Sequence, residues 1–323
     1  MMSNSGFACP DPLLHSFPLP LRETFFALGF PLEIATNDAR VLDAARRSFG
    51  DFRKRYDAGP VRICLGVQPG ENGIPPVTTF RARNHLLSIV CDADNFAVCD
   101  LDAGFAYGWV SSAVAGQSDW LRRRFLDTLV FSCLSQSRLT PVHAACVSRN
   151  GRGLLLCAPS GTGKTTLAYA CAHHGWTYLG DDAVYLLRDS PEPVILGKPH
   201  SLCFVDSAVG LFPELRGRPT VRDPNGELRI ELHTPELAGF AIADQCFVHR
   251  VVFLERTAGG SAGLSAVPRE EALRRLLADL PRFQERVFDE HRRSMEMLVE
   301  SGPCLLTYSD CSSALPLLDS LRE

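Results

Sequence analysis

The sequence has no long apolar run, no internal repeat and no marked excess of charge of one sign. Its longest apolar stretch, residues 153–158, is far shorter than the ~18 residues of a membrane-spanning helix, so no such helix is predicted. With 33 basic and 37 acidic residues, the formal net charge is −4. Nucleic-acid and anionic-membrane partners favour a basic excess, and neither is predicted. The first six residues lack the basic and apolar regions of a signal peptide.

Paired cysteines are missing as well. The chain has 12 cysteines, but no two of them form a C-x-x-C pair, and none has the Cys/His spacing of a zinc site. Most lie in apolar runs, where a reduced thiol behaves as a small hydrophobic group. The pattern predicts a cytoplasmic protein with reduced cysteines and no zinc site.

The composition is that of a globular protein. Of the 323 residues, 46% are apolar and 22% are charged, which is enough for one large core or two smaller ones. Local patterns favour two domains within an α/β fold. We expect a small α+β domain over residues 1–115 and a larger domain over residues 116–323.

In the first third, short strand-like runs and turn residues surround a single helix. The helix lies near residues 38–45, and Thr36 or Asn37 is its expected N-cap. The strands predicted here are 61–67, 86–90 and 96–99.

A second helix begins near Ser118, which is expected to cap it, and its apolar residues fall at helical spacing. The run Arg122-Arg123-Arg124 near its start is typical of a solvated helix face. Two apolar runs, a glycine-rich loop, a helix and a strand then follow in the order of an α/β core. The strands predicted in this part are 142–147, 153–157, 177–179, 248–254 and 303–308, and the helices are 164–174, 268–280, 284–300 and 312–321.

The glycine-rich loop carries the clearest motif. Residues 158–165 read Ala-Pro-Ser-Gly-Thr-Gly-Lys-Thr, which fits the Walker A pattern except for alanine in place of the first glycine. Two glycines let the loop turn its N–H groups inward as an anion nest, and the following helix N-terminus favours phosphate. Lys164 supplies charge for the β- and γ-phosphates, and the Thr165 hydroxyl is a hard ligand for Mg²⁺. The residues expected to contact ATP are Pro159, Ser160, Gly161, Thr162, Gly163, Lys164, Thr165 and Thr166.

Two acidic residues, Asp181 and Asp182, close the next predicted strand, which we expect to lie beside the strand before the loop. Adjacent carboxylates near Mg·ATP can divide the work, because one can face the metal while the other accepts a proton from an incoming hydroxyl. Gly-Asp-Asp is also common turn chemistry, so the doublet alone leaves both interpretations open. His143 stands one strand upstream and reaches the phosphate end of the loop if the two strands are neighbours.

His143, the loop at 160–165 and the Gly-Trp-Thr-Tyr-Leu-Gly-Asp-Asp run at 175–182 together resemble a known family. The segment 141–187 is similar to the catalytic domain of bacterial HPr serine kinase/phosphorylases and, more closely, to HPr-kinase-related proteins. The resemblance implies a phosphoenolpyruvate-carboxykinase-like P-loop core with a smaller N-terminal domain. It also implies an ATP- and Mg²⁺-dependent kinase that phosphorylates a serine-type hydroxyl of a peptide, protein or small molecule. A homo-oligomer is a further expectation, made apart from the resemblance.

The same resemblance implies roles for individual residues. Lys164 corresponds to the phosphate-binding lysine, and Thr165 corresponds to the magnesium-ligating hydroxyl. Asp182 corresponds to the aspartate that takes the proton from the substrate hydroxyl, with Asp181 beside it and the metal. His143 corresponds to a further catalytic residue.

Two departures from the family keep alternatives open. The family's Glu-Ile-Arg-Gly signature is matched only by Glu-Leu-Arg-Gly at 214–217, at a shifted distance, which makes Glu214 a weak candidate for a second metal ligand. The C-terminal Arg-Pro-Gly-Arg-Asn stretch of the bifunctional enzymes is absent. The alternatives are a catalytically decayed nucleotide-binding regulatory module and a bifunctional HPr kinase/phosphorylase.

Overall fold

The computed structural model describes residues 18–70, 73, 75, 77–222, 227–282 and 284–321. The chain divides into two units, Met1–Ser137 and Arg138–Glu323. Both contain helices packed on sheets, so the protein has a mixed α/β fold with several sheets. Within the described residues, no helix combines the length and apolar character needed to cross a membrane. The cysteines in that part of the chain are free thiols.

The first unit contains seven strands and four short or medium helices among its described residues, and a π-helical turn at Arg122–Leu126 joins the last two helices. The elements are β1 (Leu21–Ala27), β2 (Phe30–Thr36), α1 (Ala39–Phe49), β3 (Val61–Gln68), β4 (Thr79–Arg83), β5 (Leu86–Val90), β6 (Phe96–Asp100), β7 (Phe105–Ser111), α2 (Ser112–Ala115), α3 (Ser118–Leu121) and α4 (Asp127–Ser137).

These seven strands form one sheet in the order β1-β2-β3-β7-β6-β5-β4. Leu87 and Ile89 of β5 are buried at alternate positions, because successive side chains of a strand point to opposite faces. In β3 the consecutive residues Ile63, Cys64 and Leu65 are all buried. Helix α1 packs on β1 and β2, and α4 packs on β3 and β6. The segment that follows β7 therefore belongs to the first unit, and the division after Ser137 falls later than the predicted boundary at residue 115.

The N-cap of α1 is Asp38, not Thr36 or Asn37 as predicted. The Asp38 carboxylate accepts a 2.9 Å hydrogen bond from the Arg40 amide. Thr36 is instead buried at the end of β2. The Asn37 side chain exchanges two hydrogen bonds with the backbone of Val67, at 2.7 and 2.8 Å. A tertiary partner thus removes Asn37 from the capping role that its residue type favours.

The helical segment after residue 117 also differs from the prediction at its start. Gln117 occupies the N-cap position and Ser118 is the first helical residue. The prediction of a solvated arginine face is wrong for Arg122, which is buried and pairs with Asp119 at 3.1 Å. The predicted apolar face is confirmed, because Leu121, Phe125 and the apolar residues of α4 at the same spacing are buried.

The second unit contains the glycine-rich loop. Its elements are β8 (Leu139–Val142), β9 (Ala144–Arg149), β10 (Arg152–Cys157), α5 (Lys164–His173), β11 (Thr177–Gly180), β12 (Val184–Leu187), β13 (Val194–Leu196), β14 (Ser201–Val205), β15 (Thr220–Arg222), β16 (Leu228–His233), β17 (Gln245–Arg256), β18 (Gly263–Ala266), α6 (Arg269–Ala278), α7 (Glu285–Val299), β19 (Cys304–Tyr308) and α8 (Cys311–Ser320).

Nine of these strands form a central sheet in the order β11-β9-β10-β17-β13-β12-β8, with β19 beside β17 and β18 beside β19. Alternate residues of β10 face opposite sides. Leu154 and Leu156 pack in a cluster with α5, α8 and the small sheet β14-β16-β15. Leu155 and Cys157 pack in a second cluster with α6 and α7. The central sheet is therefore covered on both faces.

The order of β9, β10 and β11 in the central sheet differs from the prediction. Strand β11 does not lie beside β10, because β9 separates them and pairs antiparallel with both. Ala144 at the start of β9 pairs with Cys157 at the end of β10, and Gly180 at the end of β11 pairs with Cys146. The beginning of β9 and the ends of β10 and β11 therefore meet at one edge of the sheet.

A tight turn closes the opposite end of the β9–β10 hairpin. Asn150 and Gly151 have φ values of 53° and 77°. Two-residue hairpin turns of the primed types require such positive φ angles, which glycine and asparagine adopt most readily. The pair fixes the register of β9 against β10.

Candidate active site

The glycine-rich loop connects the end of β10 to the start of α5. Gly161 and Gly163 have φ values of 82° and 104°, a region that residues with a Cβ rarely adopt. Pro159 and Ser160 are exposed, as is Gly161. The loop thus presents backbone to solvent directly before a helix N-terminus, where N–H groups and the helix dipole favour an anion.

Lys164, the first residue of α5, is largely buried at 6% exposure. Its Nζ donates hydrogen bonds to the carbonyl oxygens of Ala158, at 2.8 Å, and Pro159, at 3.4 Å. The same Nζ lies 3.0 Å from Nε2 of His143. Burial lowers the pKa of the Lys164 ammonium, and the nearby Asp182 carboxylate opposes that shift. The lysine is therefore held inside the curve of its own loop.

Asp181 lies next to the first turn of α5. Its Oδ2 accepts a 2.9 Å hydrogen bond from the Thr165 hydroxyl, and its Oδ1 accepts one of 3.1 Å from the buried Tyr178 hydroxyl. Desolvation raises the pKa of Asp181 to about 6, although the hydrogen bond from Thr165 acts in the opposite direction. Because desolvation disfavours the ionised Asp181 carboxylate, a cation bound beside it would be stabilising. The Thr165 hydroxyl, in the first turn after the glycine-rich loop, is a second oxygen at the same place.

Asp182 occupies a backbone conformation that is unusual for its residue type. Its φ is 63°, in the left-handed region that aspartate tolerates better than most residues. Its side chain is 81% exposed, and its Oδ1 lies 3.6 Å from Nε2 of His143. The imidazole lowers the pKa of Asp182, and the Asp182 carboxylate is in turn the largest influence raising the pKa of His143.

The sheet topology explains why these residues meet. His143 directly precedes β9, Lys164 follows the loop at the end of β10, and the acidic doublet follows β11. Because β9 is antiparallel to both neighbours, its start lies between their ends. The structure therefore brings together the predicted residues His143, Lys164, Thr165, Asp181 and Asp182, with Thr162 and Thr166 on the same loop and helix turn.

Two further residues at the site were not predicted from the sequence. Asp279 follows α6, and its Oδ2 lies 3.2 Å from Nδ1 of His143. Tyr308, at the end of β19, donates a 3.4 Å hydrogen bond to the carbonyl oxygen of Thr162 in the loop. Both come from distant parts of the chain, and neither stands in a recognisable motif. For Asp279, the available signal was its position at the end of a well-patterned helix.

Glu214, the weak candidate for a second metal ligand, does not join the site. Its carboxylate accepts a 3.0 Å hydrogen bond from Tyr169 and lies 3.9 Å from His173. These partners lie in the C-terminal half of α5, and His173 is about 13 Å along the helix from Lys164 at 1.5 Å per residue. The expectation for Glu214 is therefore corrected.

The donor set fits a metal that arrives with a nucleotide. Among the described residues, no group of three or more His, Cys, Asp or Glu side chains is placed to hold a metal ion. Mg²⁺ at nucleotide sites is commonly bound by one or two protein oxygens together with phosphate oxygens and water. Thr165 and Asp181 supply two such oxygens beside the glycine-rich loop.

Comparisons with known proteins found one matching family model and similar solved structures. The fold is mixed α/β, and residues 115–193, about a quarter of the chain, match a protein-family model described as "ScmC: SynChlorMet cassette protein ScmC". The matched residues include the loop and the acidic doublet. No curated protein matches the chain.

Among solved structures, the chain is similar to the Hpr(Ser) kinase/phosphatase from Coxiella burnetii. The match has 12% sequence identity and a TM-score of 0.29, and it covers 56% of this chain and 92% of that one. At this level of similarity, a function for the chain must rest on the geometry of the site.

Proposed function

We propose that the second unit is an ATP- and Mg²⁺-dependent kinase that transfers the γ-phosphoryl group to a serine-type hydroxyl. One observation carries the proposal. Lys164, on the anion-binding loop, and Asp182, on a neighbouring strand end, both approach Nε2 of His143, at 3.0 and 3.6 Å. A phosphate-binding cation and a proton acceptor therefore lie within reach of the same reacting group, which is what hydroxyl phosphorylation requires.

The chain's residues divide the work as follows. The loop amides and Lys164 bind the phosphates, and Thr165 and Asp181 hold Mg²⁺. Bound Mg·ATP supplies the transferable phosphoryl group and neutralises part of its charge. Asp182 accepts the proton of the acceptor hydroxyl, and its lowered pKa keeps it ionised at neutral pH. The protonated form of His143 stabilises the ionised Asp182.

The exposure of Asp182 bears on the acceptor. At 81% exposure, the carboxylate is open to a group as large as a peptide or protein segment. A serine of a peptide or protein is the acceptor that we favour, and a small hydroxyl compound also fits. HPr itself and the reverse phosphorolysis are not part of the proposal, because the sequence lacks the C-terminal stretch of the bifunctional enzymes.

Phosphoryl transfer tests the proposal. The full chain would be incubated with Mg²⁺ and γ-³²P-labelled ATP, with a serine-containing peptide mixture, soluble cell protein or L-serine as acceptor. We expect labelled acceptor with the wild type. Asp182→Asn should reduce transfer by a factor of about 100 or more, the usual contribution of a general base, while the Kd for ATP stays unchanged.

A matched control exists in the same unit. Asp189 is exposed and also has a positive φ, of 60°, so Asp189→Asn tests the effect of asparagine in this backbone conformation. It should transfer phosphate at the wild-type rate. Equal rates for wild type and Asp182→Asn would show that the assigned base is wrong. ATP binding without transfer to any acceptor would favour the decayed nucleotide-binding module instead.

A further inference from the structure

His143 has a defined arrangement of donors and acceptors around its ring. The Lys164 ammonium carries only donors, so at 3.0 Å from Nε2 it must donate to a lone pair on that nitrogen. In the neutral ring the proton then resides on Nδ1, which lies 3.2 Å from Oδ2 of Asp279. The Nδ1–H group therefore donates to the Asp279 carboxylate.

We propose that Asp279 is a positioning residue, whose carboxylate holds the His143 ring so that the Nε2 lone pair faces Lys164 and Asp182. The inference rests on the proposed kinase function and extends it to a residue outside the predicted motifs. An isolated neutral histidine has no partner that selects between its two tautomers. Here the Lys164 ammonium at Nε2 and the Asp279 carboxylate at Nδ1 select the same tautomer from opposite sides of the ring.

The selected orientation has a consequence for the proton of the acceptor hydroxyl. When Asp182 takes this proton and the Lys164 ammonium turns from Nε2 to the phosphates, the Nε2 lone pair of His143 can receive the proton in turn. This regenerates the Asp182 carboxylate and leaves an imidazolium ion. That cation would lie between two carboxylates, Asp182 and Asp279. Asp279 also follows the C-terminus of α6, where the helix dipole favours positive charge.

The charged groups that face His143 come from three elements. Lys164 approaches from α5, Asp182 from the turn after β11 and Asp279 from the end of α6. The two carboxylates raise the pKa of His143, whereas burial and the lysine charge lower it. The thiol of Cys157 lies near the same groups, but burial raises its pKa to about 12, so it stays neutral.

The test uses ¹⁵N-histidine NMR on the full chain without nucleotide, with the His143 signal assigned through His143→Gln. In the wild type we expect the Nδ1–H tautomer. Asp279→Ala removes one of the two groups that favour this tautomer, so it should raise the population of the Nε2–H tautomer and lower the His143 pKa. Asp279→Asn keeps an acceptor but loses the charge, so it should restore the Nδ1–H tautomer while the pKa stays low. Asp289→Asn, an exposed aspartate on α7, should change neither property.

A kinetic measurement gives a second readout, with water as the acceptor and ADP release as the signal. Asp279→Ala should lower kcat about tenfold, the lower end of the effect of an outer-shell carboxylate, with KM for Mg·ATP unchanged, and Asp279→Asn should recover part of the loss. An Nε2–H tautomer in the wild type, or an unchanged tautomer and pKa in Asp279→Ala, would overturn the inference. Failure of the kinase proposal is seen separately, as absence of transfer in the wild type while the NMR signature persists.

Discussion

The hydroxyl of Thr165 donates a 2.9 Å hydrogen bond to Oδ2 of Asp181, which joins the first turn of α5 to the acidic doublet after β11. Tyr178 holds the other oxygen of the same carboxylate. Two hydrogen bonds from the protein thus orient the Asp181 carboxylate. An oriented ligand loses less freedom when a cation arrives, and this favours binding.

The first prediction concerns the pH dependence of Mg·ATP binding. Desolvation raises the pKa of Asp181 to about 6, so protons compete with Mg²⁺ increasingly as the pH falls through 6. Affinity for Mg·ATP, measured by titration calorimetry between pH 8 and 5, should fall across this range. Binding that is independent of pH there would remove Asp181 from the metal site.

The second prediction concerns the pH at which the affinity for Mg·ATP is lost. The Tyr178 hydrogen bond lowers the pKa of Asp181, so Tyr178→Phe should raise it further and move the loss of affinity to higher pH. The ring still fills its fully buried position. Tyr185→Phe, at a buried tyrosine of β12, is the control and should keep the wild-type profile.

Lys164→Met is the third prediction. A hydrogen bond to a charged group is worth about 1.5–3 kcal/mol, so loss of the ammonium should weaken ATP binding at least about tenfold. Thermal stability without ligand should not fall, because burial already disfavours the charged lysine. Lys54→Met, at an exposed lysine of the first unit, should leave ATP affinity unchanged. Wild-type affinity in Lys164→Met would contradict phosphate binding by the loop.

The fourth prediction concerns the strand that carries the acidic doublet. A Cβ atom at Gly197 would lie 1.9 Å from the carbonyl oxygen of Leu179 in β11, so Gly197→Ala must displace backbone. We expect a loss of about 2 kcal/mol or more in urea unfolding, together with loss of phosphoryl transfer. A Cβ at Gly210 would meet nothing within 4 Å. Gly210→Ala should therefore stay within about 0.5 kcal/mol of wild type.

The fifth prediction tests support of the loop from β19. Tyr308→Phe keeps the ring but removes the hydrogen bond to the carbonyl oxygen of Thr162. A neutral hydrogen bond contributes about 0.5–1.5 kcal/mol, so ATP binding should weaken by about two- to tenfold. Fluorescent-nucleotide titration measures the change. Identical affinity in Tyr308→Phe would mean that the loop holds its shape without this contact.

Much of the second unit could be predicted from the sequence because its signals are local. The apolar runs, the glycine-rich loop and the helix after it yielded β10 and α5 nearly to the residue. Strand neighbours are not a local property, and for this reason β11 was predicted beside β10. In the first unit, β1 and β2 were missed, because charged residues or a proline interrupt their apolar residues, whereas residues 63–67 of β3 form a continuous apolar run. Asn37 was predicted as a cap from its residue type alone. Its actual contact with the backbone of Val67 depends on how the strands pack, which the sequence does not show.

The candidate site likewise combines residues with a local signal in the sequence and residues that only the fold brings together. Lys164, Thr165 and the acidic doublet belong to motifs whose spacing is visible in the sequence. His143 was predicted only conditionally, and the pairing of Ala144 with Cys157 supplies the missing condition. Asp279 lies 136 residues from His143, so no spacing could connect them. Tyr308 and Gly197 are similar, since their importance lies in what approaches them in space.

The turn at Asn150 and Gly151 has a practical consequence. It closes the β9–β10 hairpin about 20 Å from the ends that carry His143 and the loop, at 3.3 Å per strand residue, and both turn residues are exposed. A fluorophore, an affinity tag or a surface tether attached there would leave the end of the sheet that carries the proposed nucleotide site unobstructed. The hairpin thereby offers a handle for immobilising the protein in searches for the proposed acceptor.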